Sequence, residues 1–86
     1  MKNKVLIKLI VPELDMNFDV FIPVNELVWK VKKLLVKSVS DITDIPLNLD
    51  TEYTLINKDN CETYKNNETI INTNIRNGSE LILISR

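Results

Sequence analysis

The run Leu81-Ile82-Leu83-Ile84, four aliphatic side chains in a row entered through Asn77-Gly78, leaves few folds open to this chain. It is too short for a helix and apolar on both alternating faces, so it suits a central strand with cover on each side. Gly78 is the only glycine in the sequence. It stands at a turn that calls for positive φ, which a residue without a Cβ adopts at no steric cost. The rest of the sheet must come from earlier in the chain.

From Val5 to Val11 the residues Val5, Ile7, Leu9 and Val11 share one face, and Lys4, Leu6, Lys8 and Ile10 share the other. Pro12-Glu13-Leu14-Asp15-Met16-Asn17 reads as a reversal. The alternation after it turns Phe18, Val20 and Ile22 inward and Asp19 and Phe21 outward. The two runs predict an antiparallel hairpin. Pro23 ends the second run, and Asn25 is placed to cap a helix with Glu26 in its first turn, where a carboxylate meets the exposed amides and the positive dipole end.

At about 100° per residue, Leu27, Val28, Val31, Leu34 and Leu35 form an apolar arc that Ser38 and Ile42 extend. Lys30, Lys33 and Lys37 lie opposite, and the later lysines suit the helix C-terminus. Trp29 and Val36 fall off the arc and nearly eclipse one another. Two readings of them stay open: an exposed docking stripe, or burial under the loop between Val39 and Thr51. The stretch from Ser40 to Leu47 has helix-ending and turn chemistry, with Pro46 holding Ile45 extended. Tyr53-Thr54-Leu55-Ile56 reads as a third strand, Asn57-Lys58-Asp59-Asn60 as its turn, and Cys61-Glu62-Thr63-Tyr64 as a short strand. The expected core is Val5, Ile7, Leu9, Val20, Ile22, Leu27, Val31, Leu34, Leu55, Ile75, Leu81 and Leu83.

Eighty-six residues, 44% hydrophobic and 27% charged, suffice for one domain over 1–86 with a modest core. No apolar stretch approaches the roughly 20 residues of a membrane span. Lys8 and Pro12-Glu13 break the only candidate for a secretory apolar region, so the expected location is cytoplasmic. A single cysteine, Cys61, excludes an internal disulfide. Without any histidine there is no Ser-His-Asp or Cys-His site and no plausible zinc or haem cluster. Thiol catalysis by Cys61 would need a neighbouring base or another means of lowering its pKa. The pairs Asp15/Asp19 and Asp41/Asp44 flank turns or lie in loops and read as solvated or capping carboxylates. The asparagines do not form a calcium loop, and one glycine cannot cradle a phosphate. The expectation is no enzyme, no cofactor and no metal. Lys30, Lys32, Lys33 and Lys37 near Trp29 offer an alternative, contact with RNA or single-stranded DNA. A formal charge of −1 and the lack of further stacking residues weigh against nucleic acid.

Four features together resemble the YukD-like family, small ubiquitin-like proteins encoded with type VII (WXG100, ESX-like) secretion systems of Gram-positive bacteria. They are Phe18-Asp19-Val20-Phe21-Ile22 leading into the helix, Asn57-Lys58-Asp59 after the third strand, Ile70 five residues before Ile75, and Asn77-Gly78-Ser79-Glu80-Leu81 entering the last strand. The resemblance covers nearly the whole chain. It departs at Asn74, where such proteins often carry a glycine and where asparagine can adopt left-handed geometry, and in the asparagine-rich segment from Asn57 to Asn77.

What the resemblance implies is an α+β ubiquitin-like β-grasp fold, a mixed β-sheet packed against one main helix. It also implies a noncatalytic accessory component of the secretion machinery, cytoplasmic or peripheral to a membrane secretion complex through protein contacts. The sequence closes at Ser85-Arg86 without the Gly-Gly tail of conjugated modifiers, so the expectation is a protein-binding module. The candidate docking residues are Phe21 with Leu6, Lys8 and Ile10, reaching toward Ile82 or Ile84, and on the helix Trp29, Lys33 and Val36. The expected partner is a protein component of the secretion machinery, with a homodimer as a competing use of Phe21.

Overall fold

The computed structural model describes residues 3–48 and 50–85. Strands β1 (Lys4–Val11) and β2 (Met16–Pro23) form the expected hairpin. Its reversal is a single 3-10 turn at Pro12–Leu14, where proline fixes φ and its missing N–H goes unneeded. Asp15 follows with φ 54° and donates its N–H to the Pro12 carbonyl at 3.0 Å. The register pairs Ile7 with Val20, Leu9 with Phe18 and Leu6 with Phe21. Paired residues share a face, so one side carries Ile7, Leu9, Val11 and Ile22, all buried.

Helix α1 (Val28–Thr43) crosses that face, followed by β3 (Tyr53–Asn57), a 3-10 turn at Ile70–Asn72 and β4 (Glu80–Ser85). The sheet order is β2-β1-β4-β3, with β4 parallel to β1 and antiparallel to β3. The C-terminal aliphatic run is therefore an interior strand. Its Leu81 and Leu83 point into the core, while Ile82 and Ile84 face the other side, half-buried. This is an α+β ubiquitin-like β-grasp fold, one main helix packed on a mixed four-stranded sheet.

The helix departs from expectation at both ends. Asn25 does not cap it. Leu27 occupies the N-cap position in extended geometry, with no side-chain hydrogen bond. The first free amides find remote carbonyls instead: Val28 N–H donates to Glu68 O at 2.8 Å and Trp29 N–H to Asn66 O at 3.2 Å. The return segment reciprocates, with Ile70 N–H on Glu26 O at 3.0 Å and Ile71 N–H on Val24 O at 2.9 Å. At the other end the helix runs on to Thr43, whose hydroxyl donates to Val39 O at 2.7 Å, and stops at Asp44 in left-handed geometry. Its last turn holds no basic residue, so the lysines do not act on the C-terminal carbonyls.

The buried face of α1 is Val28, Val31, Leu35, Val36 and Val39. It is rotated from the expected arc: Leu34 is 48% exposed and Ile42 is also exposed. Val36 closes the core because the chain after the helix returns beside it, bringing Thr51, Glu52 and Tyr53 to the same flank. The Lys32 ammonium fastens that return, donating to Tyr53 O at 2.8 Å and lying 3.6 Å from Glu52. Val5, Val20 and Leu27, expected in the core, are half-buried. Val24 and Ile70, outside the expectation, are buried.

Two smaller expectations also change. Cys61-Glu62-Thr63-Tyr64 reduces to one isolated bridge between Ile56 and Thr63. Asn74 does not take left-handed geometry; in this loop Cys61 does, with φ 60°. Gly78 behaves as expected, at φ 87°. The end of the chain at Arg86 lies outside the described residues.

Candidate protein-docking surfaces

With α1 on one face of the sheet, the register lays out the other in rows. Phe21 stands opposite Leu6, and the next row is Asp19, Lys8 and Glu80. The row beyond is Ile10, Ile82 and Ile56, continued by Thr63 across the bridge from Ile56. Successive rows are roughly 7 Å apart along the strands. Phe21 and Leu6 are 53% and 39% exposed, and the three isoleucines are half-buried by one another. The face is thus two apolar patches separated by a charged row, whose Glu80 pairs with Lys58 at 3.4 Å.

The Asn77-Gly78 turn fixes the position of Leu6. Leu6 N–H donates to the Asn77 side-chain oxygen at 2.8 Å, and Gly78 N–H donates to Leu6 O at 2.8 Å. Lys8 N–H continues the pattern onto Ser79 O at 2.9 Å. A side-chain amide thereby extends the β1–β4 pairing by one step beyond β4, holding the backbone beneath the Phe21–Leu6 pair. Leu6, Lys8, Ile10 and Phe21 are brought onto one surface, with Ile82 beside Ile10.

The helix residues separate. Val36 is only 2% exposed, which removes it from a docking stripe, whereas Trp29 is 40% exposed. The ammonium groups of Lys30 and Lys33 lie 5.6 and 6.0 Å from the centre of the Trp29 ring, within cation–π range. Lys32 is engaged with Tyr53 and Glu52 and its side chain is 12% exposed, so it does not belong to the outward basic set.

Sequence reading did not anticipate the polar clasp that orders the asparagine-rich loop. Asn57, nearly buried, donates its side-chain amide to the Tyr64 hydroxyl at 3.0 Å, and that hydroxyl donates to the Asn74 side-chain oxygen at 2.8 Å. Burial pushes the Tyr64 pKa up, the Asn57 hydrogen bond opposes this, and the Glu62 charge adds a smaller upward push. At the opposite end of the sheet the Glu13 carboxylate accepts both the Ser85 N–H at 2.9 Å and the Ser85 hydroxyl at 2.6 Å. Those bonds hold the Glu13 carboxyl below the ordinary glutamate range.

The carboxylates singled out earlier have structural posts. Asp15 and Asp44 sit at left-handed turn positions, and Asp41 pairs with Lys37 at 3.5 Å. Cys61 is exposed in a turn. Among the described residues no group of three or more Cys, Asp or Glu side chains could hold a metal ion. No described helix is long and apolar enough to cross a membrane.

No protein-family model matches the chain, and no curated protein matches it. Solved structures do. A chain of an ESX-5 inner membrane complex free of MycP5 superimposes with a TM-score of 0.70 at 13% identity, over 98% of this chain and 21% of that one. This chain therefore spans about a fifth of that neighbour. The UBL domain of Plasmodium falciparum Dsk2 gives 0.72 at 20% identity, covering 96% and 99% of the two chains. Caldiarchaeum subterraneum ubiquitin gives 0.66 at 21%, covering 96% and 94%. What these proteins share with the chain at such identities is the ubiquitin-like β-grasp fold.

Proposed function

We propose that this chain is a noncatalytic ubiquitin-like module, one domain over 1–86, that binds a protein component of a type VII, ESX-like secretion system. The observation that carries the docking function is the outer sheet face: an exposed Phe21–Leu6 pair beside the Ile10–Ile82–Ile56 row, with Lys8 between them. An aromatic and aliphatic centre with charged edges suits protein recognition, since apolar contact supplies affinity and the charges restrict partners. The secretion assignment, and within it the YukD-like family, draws support from the whole-chain sequence resemblance and from the fold match to a chain of an ESX-5 inner membrane complex. In this reading the module is cytoplasmic and reaches the membrane complex through protein contacts.

The nucleic-acid alternative loses ground because Lys32 is spent on Tyr53 and Glu52 and two further lysines lie within cation–π range of the one tryptophan ring. A homodimer through β2, an edge strand, would compete for Phe21. The test is affinity capture from a Gram-positive cell with an intact secretion locus, together with substrate export on deletion. Recovery of a secretion component, lost with Phe21→Ala at unchanged mass by light scattering, is the expected result. Failure to recover any such component, with export unchanged on deletion, removes the assignment and leaves the fold intact.

A further inference from the structure

The outward face of α1 has no part in the sheet-face reading, yet its composition is specific. Lys30, Lys33 and Lys37 project directly away from the core, with Trp29 on one flank and Leu34 on the other, the helical positions opposite Val28, Leu35 and Val39. Glu26, Trp29, Lys30, Lys33, Leu34 and Lys37 line a shallow depression of 450 Å³. Leu34 is among the more exposed large apolar residues, although leucine on this face contributes nothing to the core.

We propose that this stripe is a second docking surface, for an acidic amphipathic protein segment whose apolar side chains rest on Trp29 and Leu34 while its carboxylates engage Lys30, Lys33 and Lys37. The charges argue for that occupant. Lys30 pairs with Glu26, just ahead of the helix, at 3.8 Å and Lys37 with Asp41 at 3.5 Å, both exposed pairs between residues four apart. Such pairs are worth only about 0.3–0.5 kcal/mol. A partner's carboxylates exchange for them at little cost, and Lys33 forms no ion pair among the described residues. Lys30 and Lys33 also lie 5.6 and 6.0 Å from the centre of the Trp29 ring, so the half-exposed indole adjoins the cationic ridge.

Three lysines fall short of the roughly four to eight of a basic cluster that holds an anionic membrane or a phosphate backbone. Glu26 and Asp41 lower the net charge of the face, and each lysine near a lipid surface contributes only about 1 kcal/mol. Because the stripe and the outer sheet face point in opposite directions across a domain 22 Å thick at its narrowest, both can be occupied at once. The module then bridges two proteins.

Trp29 is the only tryptophan, so its fluorescence reports this surface alone. The full chain is titrated with a helical peptide of about 14 residues, leucines one turn apart and glutamates elsewhere, near the shortest length that holds a helix. Its lysine-for-glutamate counterpart, phosphatidylserine vesicles and single-stranded oligo-dT serve as the other arms. Expected are a Trp29 emission shift with the acidic peptide, weakening between about 0.05 and 0.5 M salt, and a loss of at least about tenfold in affinity with Lys33→Glu or Lys37→Glu. Phe21→Ala leaves the titration unchanged, which separates this surface from the sheet face. The proposal is overturned by a silent Trp29 with the acidic peptide, by equal binding of the lysine peptide, by unweakened binding in both folded charge-reversal variants, or by vesicles or oligo-dT binding in its place.

Discussion

Leu34 and Leu35 are neighbours in sequence and about 100° apart on α1, and the fold separates their consequences. Leu35 is 2% exposed and packed with Val31, Val36 and Val39 against the sheet, while Leu34 is 48% exposed on the lysine face. Leu35→Ala removes three buried carbons, about 0.8 kcal/mol each, so the transfer loss is about 2.4 kcal/mol. The cavity left behind raises this within the usual range of about 2–5 kcal/mol. Leu34→Ala removes the same atoms from a site that is half in water and installs the better helix former, so its cost should stay within about 0.5 kcal/mol. Urea unfolding followed by far-UV circular dichroism measures both, and an unchanged slope with a lowered midpoint marks a true stability loss. Equal losses in the two variants, or a Leu34→Ala loss above about 1.5 kcal/mol, would refute the rotation of the helix described here.

The other predictions concern single posts in the fold. Gly78→Ala meets no atom within 4 Å of the added Cβ, so its cost is that of the positive φ alone, roughly 1–2 kcal/mol, seen as a lowered melting temperature. Tyr64→Phe leaves the nearly buried Asn57 amide without its acceptor and should cost about 1–3 kcal/mol, with faster amide exchange between residues 58 and 74. The Glu13–Ser85 contact favours the carboxylate in the folded state. Its stabilisation is therefore present above the ordinary glutamate pKa and is lost as pH falls through the lowered folded value. In an NMR titration Ser85→Ala should move the Glu13 midpoint upward; an unmoved midpoint would assign the shift elsewhere.

The elements were legible in the sequence where local pattern and tertiary demand agree. Ile7, Leu9 and Val11 alternate, Phe21 faces out, Gly78 takes positive φ and the last aliphatic run is interior, because strand period and turn sterics need no distant partner to be read. The misreadings arise where a distant segment decides. Asn25 is a good cap by residue type, but Glu68 and Asn66 carbonyls already satisfy the helix amides. Leu34 has the hydropathy of a core residue, but the return of Thr51–Tyr53 beside Val36 rotates the buried face away from it. On the candidate surface the hairpin pattern gave Phe21, Leu6, Lys8 and Ile10 a common side. The row joining Ile10 to Ile82 and Ile56 depends on the β1–β4 and β3–β4 registers, which no local pattern encodes.

The most direct test of the account is site-specific photo-crosslinking in living cells, with the photoreactive amino acid at position 21 on the outer sheet face. The account predicts a crosslink to a component of the secretion machinery that appears with the secretion locus intact and vanishes when the locus is deleted. A crosslink pattern indifferent to the locus, or one consisting only of a second copy of this chain, would contradict it.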